Sequence, residues 1–469
     1  MNLPIKYKEF WIEGKHSTSI SREDISRTAS ELGFCLYRGD LYRIIGKLIY
    51  PSTERDFQDE LKYCIDPEHP EYTKICNIYE AFMQKNTKYM ISRLQIITRN
   101  HFLNDASNSC YKFFKSGYIK IMADKIFYRE YKNFPKNKYV LSTKVQPREY
   151  KIALNGKYSE FLSLATDWAN RSENIMSIIG YLCHEYKDET TGYIIVLTEQ
   201  CPDPKDGGGS GKNLFCNLLS YSTTYHSKNG SQVKFDEKFF QSWNQQRIMS
   251  ISDAPKNFKF DFLKEPSTGT FILKKLYKDE IEIPVQDGPK FVVQTNFSYE
   301  VSDGGLKRRI IPIEFTDFFT KSGGIDVYFK CHFPTGWSKE DWCNYDTIIA
   351  ASIQQWLASG RKLSPTTLTE SGWMKQFEYT YRSHIVEFIT DNFNLWVSNI
   401  KTTSKDIQDS LTKFYDSKDV AKTHRATSQR VYQAIKEYAK HNGLKCETNK
   451  TMRLDNESDS TAKFLLITQ

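Results

Sequence analysis

The stretch that decides the fold is Asp206-Gly207-Gly208-Gly209-Ser210-Gly211-Lys212-Asn213. It follows the β-branched run Ile194-Ile195-Val196-Leu197-Thr198 and precedes the apolar-patterned segment 214–219. A strand, a glycine loop, a lysine and a helix in this order form a phosphate-binding loop, where backbone N–H groups, the helix amino terminus and the lysine all face an anion. A flexible glycine linker that happens to precede a lysine is the alternative reading of this stretch alone.

Two positions of the loop depart from the usual phosphate-binding pattern. Asp206 stands where glycine is usual, and it adds a negative charge near the phosphates. Asn213 stands where a Ser or Thr hydroxyl normally contacts Mg²⁺, and an amide oxygen is a weaker ligand. Slow hydrolysis, or nucleotide binding without turnover, therefore stays open beside fast hydrolysis.

Length, charge and cysteine pattern bound the class of protein. The chain has 469 residues and a formal charge of +8, and its length fits about two to four domains. The ten cysteines show no paired C-x-x-C spacing, and Cys331, His332 and Cys343 lack a fourth ligand at a zinc-site spacing. With no apolar signal run and no apolar run near 20 residues in length, we expect a cytoplasmic protein in a reducing compartment that does not contact membranes.

The first 157 residues divide by composition. Residues 1–80 are expected to form a small α+β domain, and no pair of carboxylates or metal-ligand cluster there suggests primase or polymerase chemistry. Residues 81–157 are a basic and aromatic region, and the stretch 112–150 holds ten Lys or Arg against three Asp or Glu. Interleaved aromatic and basic residues are typical of surfaces that bind single-stranded nucleic acid. A β-rich core with inward aromatics and solvated lysines is the alternative.

Three further motifs follow the loop in order. The apolar-biased run 247–252 precedes Asp253, as in the acid-ended strand of nucleoside triphosphatases. Such strands usually end in two acids, one for the metal's water shell and one that polarises the nucleophile, and the pair here is Ser252-Asp253, with one acid missing. The buried-type run 290–294 ends in Thr295-Asn296, which puts an amide where it can orient a water molecule. Gly304-Gly305 then precedes Arg308-Arg309, a pair suited to an arginine finger that reaches a neighbouring subunit's nucleotide.

This ordered set resembles the superfamily III helicases, and most closely the C-terminal ATPase part of phage and poxvirus-type primase-helicases. The resemblance implies an α/β fold, a P-loop NTPase core of the AAA+-like kind, with ATP and Mg²⁺ bound. It implies catalytic roles for Lys212, Asp253, Asn296 and Arg309, and Mg²⁺ contacts for Asn213 and Asp253. The implied nucleotide-binding residues are Gly207, Gly208, Gly209, Ser210, Gly211, Lys212 and Asn213.

The same resemblance assigns the DNA contacts and the remaining domains. The segment 268–278 matches the hairpin that projects basic residues into a central channel, with Lys275 and Lys278 as candidates. The ATPase core is expected at 158–320, a helical lid or connector at 321–397, and a winged-helix domain at 398–469. In that last domain Arg430 and Lys436 are candidates for DNA contact, and a winged helix used only for protein contacts is the alternative.

These expectations combine into one function and one rival. The first is an ATP-dependent DNA helicase that forms a homo-hexameric ring on single-stranded and forked DNA, in replication of a phage, viral or mobile genetic element in the host cytoplasm. We expect it to lack primase activity and to work with a separate primase or polymerase. The rival is a weakly hydrolysing or non-hydrolysing nucleotide-binding module for DNA binding or replication initiation.

Overall fold

The computed structural model describes residues 7–14, 17–200, 208–232, 239–275, 279–299, 304–364, 370–398, 402–453 and 461–468. Within these ranges, every helix is either too short or too polar to cross a membrane.

The N-terminal third contains short strands and three helices among its described residues. Its elements are β1 (Trp11–Glu13), β2 (Thr18–Ile20), α1 (Arg22–Glu31), β3 (Phe34–Tyr37), β4 (Asp40–Ile45), β5 (Leu48–Pro51), α2 (Glu54–Lys62), α3 (Tyr72–Ser92), β6 (Cys110–Phe113), β7 (Gly117–Ile121), β8 (Ile126–Glu130) and β9 (Val140–Leu141). Strands β3, β4, β5 and β9 form one sheet, and β6, β7 and β8 form another. Helix α3 runs across residue 80, and β9 pairs with β5, so the chain on both sides of that residue shares one sheet.

The central part is a parallel α/β unit. Its elements are α4 (Lys157–Ala165), α5 (Trp168–Cys183), β10 (Ile194–Glu199), α6 (Lys212–Leu219), β11 (Tyr225–Asn229), β12 (Ile248–Ser252), α7 (Lys264–Thr268), β13 (Phe271–Leu273), β14 (Ile281–Ile283), β15 (Lys290–Gln294), α8 (Gly304–Lys307) and β16 (Ile310–Phe315). The sheet has the order β11-β12-β15-β10-β16, and all its pairings are parallel. Strands β10, β12 and β15 are almost wholly buried, which explains their continuous apolar runs.

The strand order places the site. After β10 and the glycine loop, the chain crosses to β11 at one edge of the sheet. It returns through β12 and β15 toward β10, and β16 then pairs with the opposite side of β10. Ligands of open parallel sheets bind outside the carboxyl ends of strands where the order reverses. That point lies at β10, so the predicted α/β fold is confirmed, and the strand, glycine loop and helix fit a P-loop NTPase core.

The C-terminal part is helical and ends in a hairpin. Its elements are α9 (Phe318–Lys321), α10 (Ile325–Phe329), α11 (Lys339–Ala358), α12 (Glu370–Tyr381), α13 (Ser383–Ser398), α14 (Ser404–Ser417), α15 (Ser428–His441), β17 (Lys445–Arg453) and β18 (Thr461–Thr468). Helix α11 packs in the same hydrophobic core as α5, whereas α12 to β18 share a separate core. The order α14, α15 and an antiparallel hairpin is the one expected, and its assignment as a winged helix stays a prediction.

Candidate functional site

The glycine loop turns into α6 through backbone that requires glycine. Gly208, Gly209 and Gly211 have φ values of +133°, +74° and +100°. A Cβ on Gly211 would also lie 2.9 Å from the ring of Phe161, so both its conformation and its packing exclude a side chain. The hydroxyl of Thr320 donates to the Gly208 carbonyl at 2.7 Å, which ties the loop to α9. Asp206 and Gly207 lie outside the described residues.

Lys212 is the first residue of α6, and its ammonium group contacts side chains at the carboxyl ends of β10 and β15. It is 9% exposed, and its Nζ lies 2.7 Å from Oε2 of Glu199 and 2.8 Å from Oδ1 of Asn296. Burial lowers the pKa of Lys212 below its usual value, while hydrogen bonding and charge attraction from Glu199 oppose that shift. Two of the predicted residues, Lys212 and Asn296, are therefore in direct contact although 84 positions separate them.

Glu199 is the functional candidate that the sequence analysis missed. It is the last residue of β10 and is 3% exposed. Its Oε2 pairs with Lys212, whereas its Oε1 has no hydrogen-bond partner among the described residues. The available signal is an acid directly after the apolar run 194–198, which precedes the glycine loop.

Asp253 lies near this cluster but at the surface. It is exposed, has φ +50°, and its charge contributes to raising the pKa of Lys212. The turn is fixed because Ala254 N–H donates to the Gln294 carbonyl at 2.8 Å and Thr295 Oγ1 donates to the Ala254 carbonyl at 3.0 Å. A non-glycine residue in this left-handed conformation is uncommon and is often found at functional sites.

Ser252 stands in place of one of the two usual acids, and its side chain contacts the neighbouring strand β11. Its hydroxyl lies 3.4 Å from the carbonyl of Lys228 on β11. The end of β12 therefore brings one carboxylate, that of Asp253, to the site.

Arg309 lies at the opposite end of the strands from Lys212. Its carbonyl accepts from Ile194 N–H at 2.8 Å, at the amino end of β10, whereas Lys212 contacts the carboxyl end. The six residues of β10 separate its amino and carboxyl ends by roughly 20 Å. Its Nη1 donates to Thr268 Oγ1 at 3.2 Å, while Arg308 beside it is exposed. The fold brings Lys212, Asn296 and Asp253 together and keeps Arg309 away from them.

Helix α12 contributes a second unpredicted residue, the cation Lys375. Lys375 Nζ lies 3.5 Å from the Glu199 carbonyl, and its charge lowers the pKa of Lys212. The neighbouring Gln376 accepts from Tyr299 N–H at 3.1 Å and donates to the Tyr299 carbonyl, so α12 is joined to the segment after Asn296. No motif marks α12, because its place at the site results from tertiary packing.

The side chains around the loop suit a magnesium–nucleotide complex. Mg²⁺ in such sites takes one or two carboxylates together with phosphate oxygens and water. Asn213 and Asp253 are exposed oxygen donors near the loop, and Glu199 adds a buried carboxylate, one oxygen of which has no hydrogen-bond partner among the described residues. Among the described residues, no group of three or more His, Cys, Asp or Glu is placed to hold a metal ion by itself.

The predicted DNA contacts have different surroundings. Lys275 is half-buried beside the β13–β14 hairpin, and Lys278 lies outside the described residues. Arg430 donates to the Thr380 carbonyl within the protein, whereas Lys436 is exposed on α15.

Several large rings of the basic and aromatic region are buried. Phe113, Phe114, Tyr118 and Phe134 are buried, and Lys112 donates to the carbonyls of Cys183 and Ser222. These residues follow the core alternative. Tyr128 is exposed on β8, and Lys125 lies 5.0 Å from the ring centre of the adjacent Phe127.

Comparisons with known proteins give structural similarities only. No protein-family model matches the sequence, and a search of curated proteins finds no match. Among solved structures, an apo form of the NrS-1 C-terminal region is 13% identical, with a TM-score of 0.36, 77% of this chain covered and 97% of that chain. A second apo structure of that region, 305–718, is 14% identical, with a TM-score of 0.33 and coverages of 77% and 96%. JCV helicase is 11% identical, with a TM-score of 0.21 and coverages of 48% and 65%. At these identities and TM-scores we draw no functional assignment from the similarities.

Proposed function

We propose that this chain is an ATP-dependent DNA helicase of the ring-forming superfamily III type. The observation that carries the proposal is the position of Lys212, which follows a left-handed glycine turn and is held between Glu199 and Asn296. A buried lysine at a helix amino terminus, facing the carboxyl ends of parallel strands, suits the terminal phosphates of a nucleoside triphosphate.

The chemistry follows from these positions. Backbone N–H groups of the loop and the ammonium of Lys212 would bind the phosphates, and the Asn296 amide would orient the attacking water. When bound, Mg²⁺ would neutralise phosphate charge, and Asn213 and Asp253 are the residues that would hold it. Arg309 would act on the nucleotide of a neighbouring copy, in a homo-hexameric ring.

Turnover would then move DNA. The hairpin that holds Lys275 and Lys278 would shift with each hydrolysis step and carry one strand of a single-stranded or forked substrate with it. Lys436 on α15 is an exposed cation for duplex contact. The setting we propose is replication of a phage, viral or mobile genome, beside a separate primase or polymerase.

One observation favours a second candidate, a nucleotide-binding module with little or no hydrolysis. The end of β12 carries Ser252-Asp253, one acid where two are usual, and the Ser252 hydroxyl lies against the Lys228 carbonyl. In that case nucleotide would order the assembly while DNA binding performs the function.

ATP hydrolysis by the purified chain, with and without single-stranded DNA, separates the two candidates. We expect DNA-stimulated turnover that is lost, together with nucleotide binding, in Lys212→Ala. Lys85→Ala, which removes an exposed lysine on α3, is the matched control and should behave as the wild type. Nucleotide binding without turnover in the wild type would establish the second candidate instead.

A further inference from the structure

A cleft of about 380 Å³, here named the amino-end cleft, lies between the N-terminal part and the parallel sheet. One wall is the hairpin β3–β4, and the other consists of residues that precede β11, β12 and β15. Because these strands are parallel, this wall lies at their amino ends, whereas Lys212 lies at the carboxyl ends. Ligand sites often occupy clefts of about 300–1,000 Å³ between domains.

The lining of the amino-end cleft combines the groups that bind nucleotides. It includes four basic residues, four side-chain amides, two tyrosines and three acids. Arginine binds phosphate, aromatic rings stack on bases, and amides form hydrogen bonds with base edges. The composition therefore suits a nucleotide, provided that some of the positive charge is free to meet a phosphate.

Ion pairs inside the protein neutralise part of the charge of the lining. Arg99 Nη1 lies 2.5 Å from Oδ1 of Asp287, and Lys144 Nζ lies 2.5 Å from Oε2 of Glu185. These four side chains satisfy one another without a ligand. The lining also contains two further arginines and one further acid, so a net positive charge faces the cleft.

The two further arginines, Arg38 and Arg247, come from opposite walls. Arg247 is half-buried, and its Nη1 donates to the Gln286 carbonyl at 2.8 Å, which uses one of the five N–H donors of a guanidinium. Arg38 is exposed, lies 5.1 Å from the centre of the Tyr37 ring, and makes no ion pair with another described residue. A guanidinium that lies over an aromatic ring keeps its N–H edge for phosphate.

Both walls also hold a residue other than glycine in the left-handed conformation. Tyr37 pairs with Asp40, so Arg38-Gly39 is a two-residue hairpin loop, with φ values of +56° and +86°. Such loops favour Asn-Gly, Asp-Gly or Gly-Gly, and arginine at the first position is strained. On the opposite wall Gln245 has φ +60°. Residues in this conformation cluster at sites that hold ligands.

We propose that the amino-end cleft binds a nucleotide of single-stranded DNA, with its phosphate at Arg38 and its base edge at Gln245. This inference rests on the proposed function, and it extends that function by giving the N-terminal part a role in holding the strand. The strand would lie at the opposite end of the sheet from ATP. Strand binding and ATP binding can therefore be measured and altered separately.

Two substitutions remove the cleft's contacts without disturbing its backbone. Arg38→Asn removes the guanidinium and gives the hairpin its favoured Asn-Gly loop, and Gln245→Gly removes the amide where glycine is unstrained. Arg55→Ala is the control, because the Arg55 side chain is 88% exposed on α2 and lies outside the lining. Fluorescence anisotropy of a labelled dT strand of about 20 nucleotides measures binding by each full-length protein at several salt concentrations.

For Arg38→Asn we expect about fivefold weaker strand binding at about 0.1 M salt, and a slope of log affinity against log salt that is smaller by about 0.7. Both are the effect of losing one phosphate contact with a single strand. Gln245→Gly should weaken binding about two- to tenfold without changing the slope, because an amide carries no charge. Arg55→Ala should match the wild type. Melting temperature and MgATP affinity should not fall in any variant.

The possible failures have different meanings. Wild-type affinity and slope in folded Arg38→Asn, or an equal loss in Arg55→Ala, would refute the cleft and leave the proposed function intact. Tighter binding of an RNA strand of the same length would refute the choice of DNA. A wild type that hydrolyses ATP but does not bind the strand would refute both the cleft and the DNA part of the proposed function. Strand binding that depends on Arg38 in a protein without hydrolysis would refute the helicase and support the cleft.

Discussion

Single buried lysines beneath the sheet show how polar residues are used away from the candidate site. Lys290 and Lys187 are 1% and 2% exposed. Lys290 Nζ donates to the carbonyls of Tyr181 and His184 at the end of α5, and Lys187 Nζ donates to those of Pro266 and Pro289. Lys290 thereby satisfies helix carboxyl-terminal carbonyls that have no partner within the helix.

The titration of these lysines predicts a pH dependence of stability. Desolvation, with repulsion by Arg247, lowers the pKa of Lys290 and of Lys187 to about 7. The unfolded chain, with lysine pKa values near 10.4, binds more protons between these limits, so the free energy of unfolding rises with pH from about 7 to about 9.5. The slope per lysine is at most about 1.4 kcal/mol per pH unit.

Urea unfolding at pH 7, 8 and 9 measures this slope. Lys290→Met should reduce it, because one proton-binding difference is removed, whereas Lys405→Met, at an exposed position on α14, should leave it unchanged. An identical slope in all three proteins would mean that Lys290 stays charged in the folded state.

At this scale the sequence was informative only for residues inside local motifs. Lys212 and Asn296 each follow a recognisable run, and their side chains are in contact because the two runs form neighbouring strands. Lys375 could not be predicted, since it reaches Glu199 at the end of β10 from a helix more than 160 residues downstream. Glu199 carried a signal, but an acid at the end of a strand is common, and only its burial and its pairing with Lys212 distinguish it.

Among the elements, the buried strands were predictable and the edge strand was not. β10, β12 and β15 have continuous apolar runs because both faces of the sheet are covered. One face packs against α5, α6 and α11, and the other packs against the β13–β14 hairpin and neighbouring segments. β11 has the sequence Tyr-His-Ser-Lys-Asn and is half-exposed at the edge, so it lacks that signal. The order of strands in the sheet is not written in any local pattern.

Helix α12 contacts the nucleotide end of the sheet on one side and the C-terminal core on the other. Lys375 contacts the Glu199 carbonyl, and Gln376 contacts the backbone of Tyr299. On the other side, Trp373 stacks on His441 with ring centres 3.5 Å apart, and Tyr381 donates to Glu437 at 2.7 Å. The helix therefore links the candidate ATP site to α15.

Gly372→Ala tests whether this contact matters for nucleotide binding. A Cβ there would lie 2.2 Å from Oε1 of Glu314, so the buried Glu314 carboxylate or α12 itself must shift. Overpacking of this kind costs about 1–3 kcal/mol, and we expect a lower melting temperature with about fivefold or greater loss of MgATP affinity. Gly304→Ala, where a Cβ meets open space, is the control. Unchanged affinity in a destabilised Gly372→Ala protein would show that α12 does not contribute to the site.

In the whole molecule, Arg309 and Lys212 lie at opposite ends of the strands of one sheet, roughly 20 Å apart along β10. A single copy therefore cannot bring both to one nucleotide. If Arg309 acts as a finger, head-to-tail association must place it against the loop of the next copy, as ring-forming heterologous interfaces do. Arg309→Ala alone should then abolish turnover and spare nucleotide binding.

Mixing two inactive variants tests this arrangement directly. In assemblies of Lys212→Ala with Arg309→Ala, a complete site forms wherever an intact loop meets an intact finger, which is about a quarter of sites for equal random mixing. ATP hydrolysis should therefore reappear on mixing. A mixture of Lys212→Ala with Asn296→Ala should stay inactive. These two residues contact each other within one copy, so every site in the mixture lacks one of them. Co-assembly without recovery in the first mixture would exclude Arg309 as a residue that acts between copies.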